Sequence, residues 1–339
     1  MTVDGHATIR DVAALAGVSV GTVSRVLAGN QTVKHGLLLR VRAAIEELNY
    51  RPNQAARALR SNRVNVVGLL IPDITNPFFA QMANDLERLA ADAGYALILS
   101  SSHNDQDREA RQFMAIMEHK PLGVIFVPTK GRPDVVVPER TRVLAIDRRA
   151  EGFASITVNQ RESAALALDH LVALGHQRIA YFAGPESTDN ARERREGFLA
   201  RAASLRSAGQ PLEVEVFIGD FDFESGEKLA RALLNCPPKY RVTAIAAASD
   251  QQAIGAIRTA RDLGVVVPTD LSVVGFDDIT LASLVVPRLT TVLQPVREMA
   301  ETAFKQITAG TDAMKSEEFM GRLIVRDSTA AAAPHVTSD

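Results

Sequence analysis

Cysteine occurs once in the 339 residues, at Cys236, so no disulfide can form within the chain. A reducing compartment is expected, and the thiol, flanked by Pro237 and Pro238, reads as a structural or loop cysteine rather than a nucleophile. No stretch reaches the roughly 18 apolar residues of a membrane-spanning helix. The start, MTVDGHATIRD, lacks a cationic segment followed by an apolar run, which speaks against secretion and for a cytoplasmic protein. No phosphate-binding glycine loop, G-x-S-x-G elbow or dinucleotide fingerprint is present, and the seven histidines lack metal-ligand spacing. Catalytic residues, metal ligands and cofactors are therefore not expected.

What is present is globular. Hydrophobic residues make up 46% and charged residues 23%, while 15 Pro and 21 Gly are scattered as punctuation, enough chain for two or three domains with substantial cores. The net charge of −2 hides an asymmetry. Residues 1–62 carry eight Lys/Arg against four acids, a balance of +4, which leaves −6 for the remainder. A cationic head on an acidic body fits nucleic-acid binding by the head.

The stretch Ala7 to Gly29 gives that head a shape. Thr8 followed by Asp11 is a capping box that starts a helix at Ile9, with Val12, Leu15 and Ala16 as its apolar edge, and Gly17 ends it. Ser19 can cap a second helix running to about Leu27, on which Val23, Val26 and Leu27 face the first while Val20, Gly21, Ser24 and Arg25 do not. Two short helices about a tight glycine turn make a helix-turn-helix, rather than an ordinary helical hairpin, because Thr22, Ser24 and Arg25 present phosphate and base-edge donors. Val41, Ala44, Ile45 and Leu48 then repeat at helical spacing, so a third helix packs on the first two and closes at Pro52. In Pro52 to Arg63, good helix formers without a buried face would become helical only when docked, for example in a DNA minor groove with Leu59 as a wedge.

From Val64 the pattern alternates strand and helix: VNVVGLLI, Pro77 to Ala93, YALILSS, Asp105 to His119, GVIFV, a short helical stretch, VLAID, SITVN, and onward to LSVVGFDD. Continuous Val/Ile/Leu runs between helices of ten or more residues indicate parallel strands buried on both faces, hence a doubly wound α/β body. The strands are too many for one sheet, so two similar subdomains with a cleft between them are expected. The tail from Ser328 is Ala-rich and polar without a heptad, and is expected to be disordered.

With TIRDVAALAGVSVGTVSRVL, LNYRPNQAARAL, DITNPFF, ALGHQRIAYFAGP, SVVGFDD and LTTVLQP in order over nearly the whole chain, the sequence resembles bacterial repressors of the LacI/GalR (lactose/galactose repressor) family. The resemblance implies an all-α helix-turn-helix head (1–48), a hinge helix (49–62), and a core of two doubly wound parallel-sheet subdomains of periplasmic-binding-protein type. These would be 63–159 with 290–319, and 160–289 with 320–328, followed by a disordered tail, 329–339. It implies a homodimer on a pseudo-palindromic operator, and the absence of a Leu-rich C-terminal coil argues against a tetramer. The first residues of the recognition helix, Val20, Gly21 and Arg25, would meet bases, with Arg25 able to pair a guanine through two donors. Thr8, Ser19, Thr22, Ser24 and Asn30 would contact phosphates, Tyr50 would pack the third helix, and Asn53, Ala56 and Leu59 would form the hinge. The segment VKHGLLLR, Val33 to Arg40, departs from the family: Lys34 and His35 are poor caps, and Leu37, Leu38 and Leu39 stand at usually polar positions. Either Lys34, His35 and Arg40 take over contacts to the DNA backbone, which is the expectation, or this head binds DNA more weakly than its relatives.

The effector pocket implied by the resemblance comprises Asn76, Phe78, Phe79, Asp147, Arg194, Phe221, Ser249, Asp250, Asp277 and Gln294. Carboxylates and amides suit vicinal hydroxyls, Arg194 can fork onto two oxygens, and Phe rings cover an apolar sugar face. Asp250 could instead cap a helix. Ser249 stands where many relatives have Asn, so a purine or nucleoside effector stays open beside a sugar. Whether the effector induces or corepresses is not legible in the residues. Two alternatives are a sugar- or nucleoside-processing enzyme with a fused DNA-binding head, for which no catalytic motif is found, and an exported solute-binding protein, which the basic head opposes.

Overall fold

The computed structural model describes residues 7–27, 33–50, 65–131, 134–138, 141–235, 237, 241–309 and 313–332. The chain divides into two compact units, residues 1–64 and 65–339.

The first unit contains α1 (Ile9–Ala16), α2 (Val20–Leu27) and α3 (His35–Glu47). Asp11 N–H donates to the Thr8 hydroxyl while the Thr8 N–H donates to the Asp11 carboxylate, so the capping box forms as expected. Gly17 closes α1 at φ +61, a left-handed conformation that glycine adopts without cost. Val12, Ala13, Ala16, Val23, Val41 and Ala44 form the core of the unit. Leu15 is 46% exposed, and Ala13 takes the buried place expected for it. Val20 packs partly against this core instead of pointing away, because the first turn of α2 leans onto α1. Lys34 precedes α3 without any side-chain cap, as its residue type predicts. The hinge, with Asn53, Ala56 and Leu59, lies outside the described residues, as does Asn30.

The second unit is built on two sheets, each of six strands among the described residues. The first holds β1 (Val66–Ile71), β2 (Ala96–Ser101), β3 (Gly123–Phe126), β4 (Arg142–Asp147), β5 (Ala154–Val158) and β11 (Glu317–Phe319), in the order β11-β5-β4-β3-β1-β2. The second holds β6 (Arg178–Ala183), β7 (Glu213–Ile218), β8 (Ala244–Ala247), β9 (Ser272–Asp277), β10 (Thr290–Leu293) and β12 (Arg322–Ile324), in the order β12-β10-β9-β8-β6-β7. All pairings are parallel except β10 with β12. Helices α4 (Pro77–Asp92), α5 (Gln106–Glu118), α6 (Gln160–Ala173), α7 (Asp189–Ser207), α8 (Phe223–Leu234), α9 (Asp250–Asp262) and α10 (Val296–Thr308) accompany the strands. This is the doubly wound pair of lobes that the alternation predicts.

Four expectations are corrected. Residues 134–138 are not helical, so no short helix is described between β3 and β4. Strands β2 and β7 are sheet edges, which leaves Leu99 and Ile218 exposed instead of buried on both faces. Strand β10 pairs with β9, so 290–293 belong to the second lobe and the return to the first comes after Leu293. Finally, the tail is ordered as far as Ala332: His170 bonds the Thr329 hydroxyl at 2.9 Å, and the Ala332 N–H donates to Leu174 O. The backbone N–H of Ala330 donates to the Ser272 hydroxyl, which makes this segment a strap on the second lobe.

Candidate functional site

In the first unit the hydroxyls expected to meet phosphate are partly engaged already. Thr8 is held by its capping box with Asp11, and the Ser19 hydroxyl accepts from Thr22 N–H while lying 3.0 Å from the Thr22 hydroxyl. Gly21, Ser24 and Arg25 are exposed, and Arg25 folds back so that Nε donates to Gly21 O at 3.3 Å. Tyr50 is half-buried against the core of the three helices. Arg40, expected at the DNA backbone, has partners within this unit: Nη2 donates to Ala16 O at 2.5 Å and to Gly17 O at 3.1 Å, so it closes the end of α1.

In the second unit the carboxyl ends of β1, β4, β7 and β9 converge, as open parallel sheets dictate for a binding crevice. Asn76, Phe78, Phe79, Asp147, Arg194, Phe221 and Asp277 line one pocket, seven of the ten residues expected. Asn76 also caps α4 by accepting from Phe78 N–H, with Pro77 at the first helical position. The space among these side chains is about 40 Å³, room for a few waters. A second cavity of about 270 Å³ continues from it past Asn104, Arg148, Thr188 and Gln251.

The backbone is strained where the carboxylates are presented: Asp147 has φ +67, Asp277 φ +120 and Asp278 φ +57. Asp278 is held in place by Arg326 at 2.6 Å. Arg194 lies on the face of Phe276, 3.9 Å from the ring centroid, and also faces Phe221 at 5.5 Å. Its Nε donates to Gln160 at 2.7 Å and its Nη1 to Ala248 O at 2.6 Å, with Asp277 3.5 Å away. The expected fork is therefore mostly engaged by the protein, and Nη2 is the nitrogen left to a ligand.

Ser249, Asp250 and Gln294, the three other expected residues, are not in that lining. Asp250 is fully buried, where it accepts from the Thr291 hydroxyl at 2.5 Å and from Ile279 N–H at 2.9 Å. It ties the start of α9 to β10 and to the segment after β9, while Ser249 is the cap of α9, accepting from Gln252 N–H. Gln294 stands behind the pocket and donates to Asp277 at 2.7 Å.

Sequence reasoning missed Arg148, Asn190 and Gln160. Arg148 directly follows Asp147 and is buried, donating to Asn104 and Pro128 O at 3.2 Å each, with Nε 3.7 Å from Asp147. Asn190 precedes Arg194 by one helical turn, a legible signal, and donates across the lobes to Asp147 Oδ1 at 3.1 Å. Burial pushes the Asp147 and Asp250 carboxyls up and that of Asp277 up to about 7, against the pull of Arg148 and Arg194 on Asp147 and of Arg194 and Gln294 on Asp277. Burial likewise pulls Arg148 down. Within the pocket the guanidinium groups of Arg148 and Arg194 stand opposite the carboxyls of Asp147 and Asp277.

Comparison with known proteins places this geometry. Residues 8–53 match the family model described as bacterial regulatory proteins, lacI family, and residues 168–329 match a periplasmic binding protein-like domain. The ribose operon repressor of Halalkalibacterium halodurans is 36% identical over 331 residues, covering 95% of this chain and 97% of its own. The HTH-type transcriptional regulator GalR of Escherichia coli (strain K12) is 34% identical, covering 98% and 100%. Among solved structures, a lac repressor dimer bound to operator and the anti-inducer ONPF aligns with a TM-score of 0.80 at 28% identity over 96% of this chain and 100% of that one.

Proposed function

Because the chain belongs to the lacI family of bacterial regulatory proteins, we propose that it is a dimeric repressor whose hold on a pseudo-palindromic operator is switched by a small neutral sugar between the lobes of its second unit. Transcriptional regulation, not catalysis, is what relatives named repressors and regulators carry out. Among the described residues no helix is long and apolar enough to cross a membrane, and we assign the protein to the cytoplasm on the relatives' role at DNA.

One observation carries the choice of effector: Asp147, Arg148, Arg194 and Asp277 set two guanidinium donors and two carboxyl groups around a pocket flanked by Phe79 and Phe221. Donors and acceptors set between aromatic faces suit a neutral polyol, whose hydroxyls both donate and accept and whose C–H face is apolar. Relatives named for ribose and a solved regulator in complex with cellobiose are consistent with this class. On the DNA side Arg25 is the base reader, with Val20 and Gly21 beside it, and Ser19, Thr22, Ser24 and Thr8 with Asn30 and Tyr50 serve the phosphates. Asn53, Ala56 and Leu59 form the hinge that docks with it.

The deciding experiment is a thermal-shift screen of the full chain against D-ribose, D-galactose, cellobiose and adenosine, followed by footprinting on an operator selected from random duplexes. A neutral sugar that raises the melting temperature and shifts the footprint supports the reading. A shift with adenosine alone would replace the sugar by a nucleoside, and a sugar that binds without altering the footprint would remove the switch.

A further inference from the structure

The chain passes between the lobes three times: between Val158 and Gln160, between Leu293 and Val296, and between Phe319 and Arg322. Two of these crossings carry a glutamine that is almost completely buried, Gln160 at 1% and Gln294 at 2% exposure. The two amides bond each other, Gln160 Nε2 donating to Gln294 Oε1 at 3.2 Å. Each also grips a pocket residue: Arg194 Nε donates to Gln160 Oε1 at 2.7 Å, and Gln294 Nε2 donates to Asp277 Oδ1 at 2.7 Å. Arg194 Nη1 lies 3.5 Å from that same Asp277 oxygen, so the four side chains close a ring.

The ring has one polarity. A guanidinium only donates, so Gln160 must turn its oxygen to Arg194, which turns its NH2 to Gln294. Gln294 must then accept there and donate to the Asp277 carboxylate. Flipping either amide would set donor against donor in a buried site, so the two amides move together or not at all. A ligand that draws on Arg194 Nη2 and on the second oxygen of Asp277 therefore tensions the ring from two of its corners, while the other two corners sit on the crossings that join the lobes.

We propose that Gln160 is a positioning residue that transmits occupancy of the pocket to the interlobe crossings. It aims Arg194 through its oxygen and steers the second crossing, at Gln294, through its nitrogen. The proposal rests on the effector reading above, and its two bonds can be separated. Gln160→Met keeps the length and removes both bonds; Gln160→Glu keeps the acceptor for Arg194 and removes the donor to Gln294.

The experiment uses the full-length dimer, with D-ribose as the probe, or whichever sugar the screen selects, and the selected operator as DNA. Gln160→Met is expected to weaken sugar binding about ten-fold, the scale of one lost charge-assisted bond, and to flatten the change in operator affinity at saturating sugar. Gln160→Glu is expected to recover most of the sugar affinity while the operator response stays flat. Recovery of both together, or a Gln160→Met protein that melts lower yet binds sugar and responds as the parent does, overturns the proposal. A third arm needs no sugar: hydrogen exchange of the free protein should quicken in Gln160→Met at residues 156–163 and 290–296 and not in the outer strands. Unchanged exchange there overturns the proposal even if the effector reading itself fails, whereas a parent protein that binds no sugar but shows the localised quickening overturns only the effector reading.

Discussion

Arg40 and Gly17 meet across the first unit: Nη2 of Arg40 donates to the Gly17 carbonyl at 3.1 Å, and a Cβ built on Gly17 would lie 2.5 Å from that nitrogen. An arginine that would otherwise be available to phosphates thus holds the end of α1, and the glycine is required twice, for its φ of +61 and for the space. Arg40→Gln should destabilise the head by about 1 kcal/mol while leaving the slope of log affinity against log salt unchanged. A slope shallower by about 0.9, the signature of one lost phosphate contact, would return Arg40 to the DNA.

Gly184 makes the seat of Phe221. A Cβ there would fall 2.2 Å from the Phe221 ring, so Gly184→Ala must push the aromatic out of its place against Arg194. Sugar affinity is expected to drop about ten-fold, equivalent to ~1.4 kcal/mol. The double variant with Phe221→Ala should lose no more than Phe221→Ala alone, which isothermal titration can establish.

The Asp277 carboxyl, raised to about 7 by burial, makes binding depend on pH. Its folded value lies above the unfolded one, so its contribution to stability is complete below about pH 4 and is lost as pH rises through about 7. A ligand hydroxyl donates better to the carboxylate than to the acid. Sugar affinity should therefore rise from pH 6 to pH 8 with release of a proton, measurable by titration in buffers of different ionisation enthalpy. Asp277→Asn should bind more weakly and flatten that profile.

Asp250 should behave as a structural residue. Asp250→Ala removes the acceptor of the Thr291 hydroxyl and of Ile279 N–H inside the second lobe. A loss of about 3 kcal/mol in stability is expected, read from denaturant unfolding, with sugar affinity near the parent's in the folded fraction. A large loss of affinity at full stability would put Asp250 back in the pocket.

The sequence alone determined whatever follows from local chemistry and periodicity. The Thr8–Asp11 box, the glycine that ends α1, the unsupported start of α3 at Lys34 and the alternation of strand and helix each depend on residues a few positions apart. Strand-end carboxylates were legible for the same reason, since a polar residue that closes an apolar run must sit at the crevice, as Asp147 and Asp277 do. What tertiary structure decided is which of those polar groups faces the ligand and which faces another side chain. Asp250 and Asp277 read alike in sequence, yet Asp250 lies beneath Thr291 and Ile279 whereas Asp277 reaches the pocket. Arg40 and Gln160 find their partners 23 and 34 residues away, at Gly17 and Arg194. The ordering of Thr329 to Ala332 likewise depends on His170, Leu174 and Ser272. A buried polar group must be satisfied by whichever partner the fold brings within 3 Å or so, and no periodicity in the chain encodes who that is.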